Sequence, residues 1–401
     1  MKLRAFFFWS ILFSFYFQQF WISGLSTPVK PYMVLVLVLG GAVVYLNPRF
    51  RLPPYVVFVA FFFVYMIFTS LYSKEFGTAI VRGAGIIMLV VAYFTLYLSS
   101  QSISPDLFER CIYKFTIVYS TAGLVYFAYG LYVYDPDPSQ RKFFGLYFEG
   151  VLPRMRSFAD SPNNLVLMML PLFYTLYVSG LKKLKLAYAF IGVSVLLSLS
   201  ITGYLCFMVP LLLTFFFGGK VRFLVMVLLV LVLSFAGFWF YESNDDFAEV
   251  VNHRLDRVSS GSGRLDLFVY SFEGISKSPV WGYGLGQARF YLEGFQGRDL
   301  QSTHNSFIEV FFEGGGVAMT FLLLSWLLLI LYVLQKNRGI RRVKLLSYVL
   351  SLFIISFANM MVYVELMVLN FFVLGFLASQ GNRGTSQIKV EPIATINPAI
   401  I

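Results

Sequence analysis

Charge is scarce in this chain of 401 residues: Asp, Glu, Lys and Arg together make up 13%. A water-soluble domain averages about 25%, so a soluble globular fold is excluded, because too little charge is present to hydrate its surface. Cysteine occurs twice, as Cys111 and Cys206, which excludes a disulfide framework and a Cys-rich metal cluster. Histidine also occurs twice, as His253 and His304, so any imidazole chemistry falls to one of these. Asp245 and Asp246 stand without a His or further carboxylate at ligand spacing, and they read as a solvated loop rather than a metal site.

Apolar residues, by contrast, fill 58% of the sequence and aromatic residues 19%, with 46 Phe and 26 Tyr. A helix that crosses a bilayer takes about 20 mostly apolar residues. Runs of that kind lie at 5–22, 31–46, 54–72, 79–99, 112–131, 163–180, 186–201, 203–217, 222–241, 305–334, 345–362 and 364–379. The chain therefore reads as an all-α polytopic membrane protein with twelve transmembrane helices. Only a turn at Thr202 and Gly203 divides the seventh span from the eighth.

Lys and Arg in short loops mark the cytoplasmic side of such a protein. With the N-terminus inside, Lys2 and Arg4, Arg49 and Arg51, Arg110 and Lys114, Lys182 to Lys185, Lys220 and Arg222, and the cluster from Lys336 to Lys344 all fall on that side. The net charge of +11 is thus an orientation signal, and a nucleic-acid partner is not needed to explain it. Both termini are expected in the cytoplasm. The first apolar run has no small-x-small cleavage site behind it and reads as a retained span.

The expected organisation is a bundle of helices 1–9 over residues 1–241, interrupted by an extracytoplasmic segment at 132–162 that includes Asp135 to Pro138. One long periplasmic loop, 242–304, joins helices 9 and 10. Helices 10–12 occupy 305–379, and 380–401 form a disordered cytoplasmic tail. The two cysteines then lie near opposite membrane faces and do not bridge each other. Within the long loop, Leu265, Phe268, Phe272 and Ile275 recur at helical spacing and predict an amphipathic helix resting at the interface.

Chemistry is expected in the two extracytoplasmic segments. His304 lies where the long loop re-enters the membrane, and an imidazole titrating near pH 6.5 can act as a general base. An interfacial histidine bonded to a loop carbonyl is the alternative. Arg154, Arg156, Arg264 and Arg289 fall on the same face, and guanidinium groups grip phosphate oxygens bidentately. For each one alone, a solvated or snorkelling side chain is the alternative. Gly282, Gly284 and Gly286 could bring backbone close to a ligand. Gly314, Gly315 and Gly316 could mark either a helix irregularity or close packing. Glu309 and Glu313 share a helical face just beyond His304, whereas Arg82 and Glu365 read as packing or interfacial charges.

The order of these elements resembles the O-antigen ligase/polymerase superfamily of bacterial envelope glycan assembly. The resemblance rests on Arg154 with Ser157-Phe158 and Pro162-Asn163, then Ser262-Gly263-Arg264, then Pro279 with Gly282, Gly284 and Gly286, then His304-Asn305 and the triple glycine at 314–316. It implies an inverting, metal-independent, cofactor-free glycosyltransferase. The implied donor is an undecaprenyl-diphosphate-linked polysaccharide, handled at the periplasmic face of the inner membrane. It also implies that Arg154 and Arg264 hold the diphosphate, with Arg156 and Arg289 as further candidates, and that His304 is catalytic. Asn305, Glu309 and Gly284 take supporting places. The sequence departs from the pattern in its extra arginine, Arg156, and in Ile201-Thr202-Gly203, where relatives often carry an arginine.

A lipid diphosphate already leaves well, so the chemistry calls for fixed cations rather than a strong general acid. No pair of loop carboxylates suggests double displacement, which favours single displacement with inversion. The single dominant late loop points, by analogy, to a ligase that transfers glycan to lipid A–core. A polymerase of the same superfamily is the alternative. A twelve-span transporter would instead show pseudo-repeats and midplane charges, which most spans here lack.

Overall fold

The computed structural model describes residues 2–20, 29–46, 52–134, 142–149, 152–181, 184–218, 252, 264–296, 303–359 and 363–381. The expected span at 222–241, His253, the Asp245–Asp246 pair, Gly261 to Gly263 and the tail beyond residue 381 lie outside the described residues. A helix stands at every other expected span: α1 (Lys2–Ser14), α2 (Pro31–Leu46), α3 (Pro54–Thr69), α4 (Phe76–Ser100), α5 (Pro105–Val133), α6 (Pro162–Val178), α7 (Lys185–Ser198) and α8 (Ile201–Gly218). The long-loop region contributes α9 (Arg264–Lys277) and α10 (Ala288–Gln296), followed by α11 (Ser306–Lys336), α12 (Gly339–Ala358) and α13 (Glu365–Ser379). Four of the described helical stretches are long and apolar enough to cross a membrane: Pro54–Tyr72, Phe76–Ser100, Pro105–Val133 and Ser306–Lys336. With the shorter apolar helices around them, they make a polytopic membrane protein.

Local chemistry moves several boundaries away from those expected. The Ser104 hydroxyl accepts from Leu107 N, and Pro105 fills the first helical position, so α5 starts well before residue 112. The division between α7 and α8 falls at Leu199 and Ser200, not at Thr202-Gly203. Leu199 adopts a left-handed conformation (φ 48°), and the Ser200 hydroxyl accepts from Gly203 N at 3.1 Å. Gly203 lies inside α8, where a Cβ would come within 2.5 Å of Val166 on α6. The Thr-Gly pair is therefore a packing point rather than a turn.

The segment at 132–162 is not wholly irregular, and the all-α expectation fails here. Strands β1 (Lys142–Phe143), β2 (Leu146–Glu149) and β3 (Leu152–Met155) form an antiparallel sheet in that order, with Lys142 opposite Tyr147 and Tyr147 opposite Arg154. A Cβ on Gly145 would sit 2.9 Å from Phe127 N, so glycine lets the first turn press against α5.

Within lipid, every freed backbone group has to find a partner inside the protein. Pro171 in α6 has no N–H for the carbonyl of Leu167, and Asn370 Nδ2 from α13 donates to that oxygen at 3.0 Å. Pro210 in α8 leaves the carbonyl of Cys206 in the same position, and the Ser351 hydroxyl of α12 donates to it at 2.7 Å. Each proline-made gap is thus closed by a polar side chain from a neighbouring helix. Asn370 also accepts from Tyr348 OH at 2.7 Å, which ties α6, α12 and α13 together through one buried amide. Cys111 and Cys206 are both free.

The breaks and caps leave the bundle with two chemically distinct ends. At one end Arg341 donates to the carbonyl of Leu377, and Asn337 donates to that of Ala378. At the other, which holds the candidate site, the starts of α2, α6, α8, α11 and α13 meet the ends of α7 and α12.

Candidate functional site

The triple glycine and the Pro279–Gly286 loop, read separately in the sequence, form one structure. Gly315 leaves the helical conformation (φ 64°, ψ −165°) inside α11 and interrupts the hydrogen-bond ladder. The carbonyls of Phe312 and Glu313 then accept from Tyr283 N (3.0 Å) and Gly284 N (2.8 Å), while Gly316 N and Val317 N donate to the carbonyls of Pro279 (2.8 Å) and Val280 (3.3 Å). The loop repairs what the break undoes. Gly282 and Gly284 have positive φ, and a Cβ on Gly282 would lie 2.5 Å from the carbonyl of Glu313. These glycines approach α11, α3 and the turn after it; Gly284 faces Ser73 and Thr69.

The break lies just past two buried carboxylates. Glu309 and Glu313 are fully buried, and Arg82 of α4 stands beside both, with Nη1 at 3.8 Å from Glu309 Oε1 and 3.1 Å from Glu313 Oε1. Ala288 N, at the start of α10, also points to Glu313 Oε1 at 3.4 Å. Glu309 turns its second oxygen toward the loop entry, accepting from Thr303 N at 3.1 Å and from the Thr303 hydroxyl at 2.9 Å. Arg82 is therefore not merely an interfacial charge but the shared counter-ion of the pair. Its partners are more than 200 positions away, so neighbouring sequence gave no sign of the role.

His304 follows Thr303 with a positive φ of 52° and an exposed side chain, whereas its neighbours Thr303 and Asn305 are buried. Asn305 caps α11, its Oδ1 accepting from Phe307 N (2.9 Å) and Ile308 N (3.1 Å). Arg289 donates to the Thr78 hydroxyl at 3.2 Å and lies over the Phe290 ring. Burial, and then the neighbouring charge of Arg82, pull its guanidinium below the ordinary arginine range.

Arg154 and Arg156 stand at the same end, on and just after β3. The Arg154 Nε donates to the carbonyl of Ser198 at 2.9 Å. Arg156 is buried and donates to the carbonyls of Leu146 (2.9 Å) and Ala159 (3.4 Å), and burial lowers its proton affinity. Arg156 thus fastens the sheet to the start of α6, and Arg154 is the more accessible of the two. Polar groups join this region to the head of α11: the Ser200 hydroxyl donates to Asn163, Asn163 donates to Asn359, and the carbonyl of Asn359 accepts from the Ser306 hydroxyl. Arg264 opens α9, and its side chain lies outside the described residues.

The buried face of α9 differs from expectation. In α9 the buried stripe is Leu267, Ser271 and Ile275, while Phe272 is 53% exposed, because Gly274 presses the helix against Phe312. Glu365, expected as a packing or interfacial charge, is buried and pairs with Lys30, which also reaches Asp160 at 3.3 Å. Burial alone would pull the Lys30 ammonium down, but the two carboxylates outweigh it and leave it raised.

A helical membrane protein with a loop-latched helix break, buried carboxylates and an outward histidine at one bundle end is the class that the fold defines. Residues 186–323 match the family model described as O-antigen ligase, a stretch that includes Arg264, Arg289, His304, Glu309 and Glu313. The chain thus carries an O-antigen ligase family domain, consistent with a member of the O-antigen ligase/polymerase superfamily. No curated protein matches the chain.

Proposed function

We propose that the protein is an inverting, metal-independent glycosyltransferase. In this reading it moves O-antigen polysaccharide from undecaprenyl diphosphate to lipid A–core at the periplasmic face of the bacterial inner membrane. The observation that carries the reading is the turn at His304, which lies within the family-matched stretch and presents the imidazole outward between two buried neighbours. His304 takes the proton from an acceptor hydroxyl as the hydroxyl oxygen bonds to the anomeric carbon. The bond from that carbon to the diphosphate breaks, and its electron pair leaves with the phosphate oxygen. Arg154 and Arg264 hold that diphosphate and offset its growing charge, and Arg289 is a further candidate for the same role. Arg156 serves the same end from behind by holding the sheet that carries Arg154.

Orientation rests on the basic residues of the short loops and on the meeting of helix ends around His304. A cysteine placed at Glu273, an exposed position on α9, in a background with Cys111→Ser and Cys206→Ser, should react with an impermeant thiol reagent on intact spheroplasts. Reaction only after lysis would reverse the assignment of faces.

The ligase reading is tested by the envelope glycan of a strain lacking the protein. Bare lipid A–core, with long glycan stranded on the undecaprenyl carrier, is the expected result. Core capped with a single repeat unit would replace the ligase with a polymerase, and an unchanged glycan profile would remove both.

A further inference from the structure

We propose that Thr303, anchored on the buried carboxylate of Glu309, is the positioning residue that holds His304 in its outward conformation, an inference that rests on the reading of His304 as the acceptor base. A left-handed conformation strains a non-glycine residue and persists only where the surroundings over-determine it. Here they do. Thr303 gives both its N–H and its hydroxyl to Glu309 Oε2, while that hydroxyl also lies 2.9 Å from the carbonyl of Asn305 and 3.3 Å from its N–H. The backbone before His304 is therefore tied to Glu309 Oε2, and the backbone after it to the Thr303 hydroxyl.

This device is separate from the helix cap. The free N–H groups at the start of α11 that a cap serves are taken by Asn305 alone, so Thr303 is not needed to begin the helix. What the Thr303–Glu309 pair fixes is the residue between Thr303 and Asn305. Glu309 is itself braced, since Arg82 lies beside its other oxygen and donates to Glu313 one turn further on. The chain of support runs from α4 through two carboxylates and one hydroxyl to the backbone that carries His304. A side chain held in this way meets its substrate without an ordering cost at the moment of reaction.

The test uses the purified full-length protein in detergent, with undecaprenyl-diphosphate-linked polysaccharide as donor and lipid A–core as acceptor. Thr303→Val removes the hydroxyl at nearly constant volume, and Thr303→Ser keeps it. Misplacing a catalytic group by about 1 Å can cost on the order of a hundredfold, so Thr303→Val should lower kcat by about tenfold to a hundredfold. The KM for the donor should not change, any fall in the thermal unfolding midpoint should be small beside the loss of turnover, and Thr303→Ser should restore kcat. Wild-type kcat in Thr303→Val would overturn the proposal, as would a loss of turnover that follows a fall in thermal stability and is not rescued by serine. His304→Ala measured alongside separates the two layers. Full turnover there removes the base reading and this inference with it, whereas an inactive His304→Ala beside a fully active Thr303→Val removes the positioning role alone.

Discussion

Gly315→Ala is expected to yield little or no folded protein. The backbone at this position (φ 64°, ψ −165°) lies in a region that only glycine populates freely. An added Cβ would also fall 2.2 Å from the carbonyl oxygen of Val280 and 2.6 Å from Gly282 N, both backbone atoms with no side-chain freedom to yield. Relief would require the Pro279–Gly286 loop to lift, and the four hydrogen bonds that repair the break in α11 would go with it. Buried backbone groups left without partners cost about 1–3 kcal/mol each, which adds to roughly 1–3 kcal/mol of conformational strain. Gly316→Ala is the control: its Cβ would come no closer than 3.3 Å, to the carbonyl of Pro279, and its φ is not positive, so it should fold. Detergent-extracted yield and elution as a single species would show the contrast. Equal yields for the two variants would mean that the latch does not hold the fold.

Arg82→Met should destabilise the protein by about 3–5 kcal/mol, the usual cost of removing one partner from a buried ion pair. The arginine stands beside both Glu309 and Glu313, whose side chains are fully buried, so its loss leaves two carboxylates facing each other without a cation. The double variant Arg82→Met with Glu313→Gln removes charge from both sides and should recover much of the loss. Thermal unfolding of the two single variants and the double variant gives the coupling directly. Additive effects would show that the contact between Arg82 and Glu313 carries no energy of its own.

How much of this could be read from the sequence depended on the range of the interactions. The span positions were legible because helix hydropathy is local, whereas the cap at Ser104 starts α5 well before the apolar run that marked it. The Thr202-Gly203 turn was misplaced because a Thr-Gly pair looks like a turn, whereas the break belongs to Leu199 and to the hydroxyl of Ser200. The two glycine motifs were visible, but their mutual repair joins residues about thirty positions apart, and no periodicity shows it. Arg82 looked isolated for the same reason, since its partners enter only through α11. The place of His304 at the head of α11 was legible, while its left-handed backbone was not, because that conformation is set by the carboxylate of Glu309 one turn into the helix.

His304→Ala tests most directly whether His304 performs the transfer. An exposed side chain adds little packing, so the variant should insert, extract and unfold like the wild type. The variant is expressed in a strain lacking the protein, and its lipopolysaccharide is resolved electrophoretically. Lipid A–core should run bare while long glycan accumulates on the undecaprenyl carrier, as in the uncomplemented strain. A normal ladder of glycan-capped core from a strain expressing only His304→Ala would contradict the account.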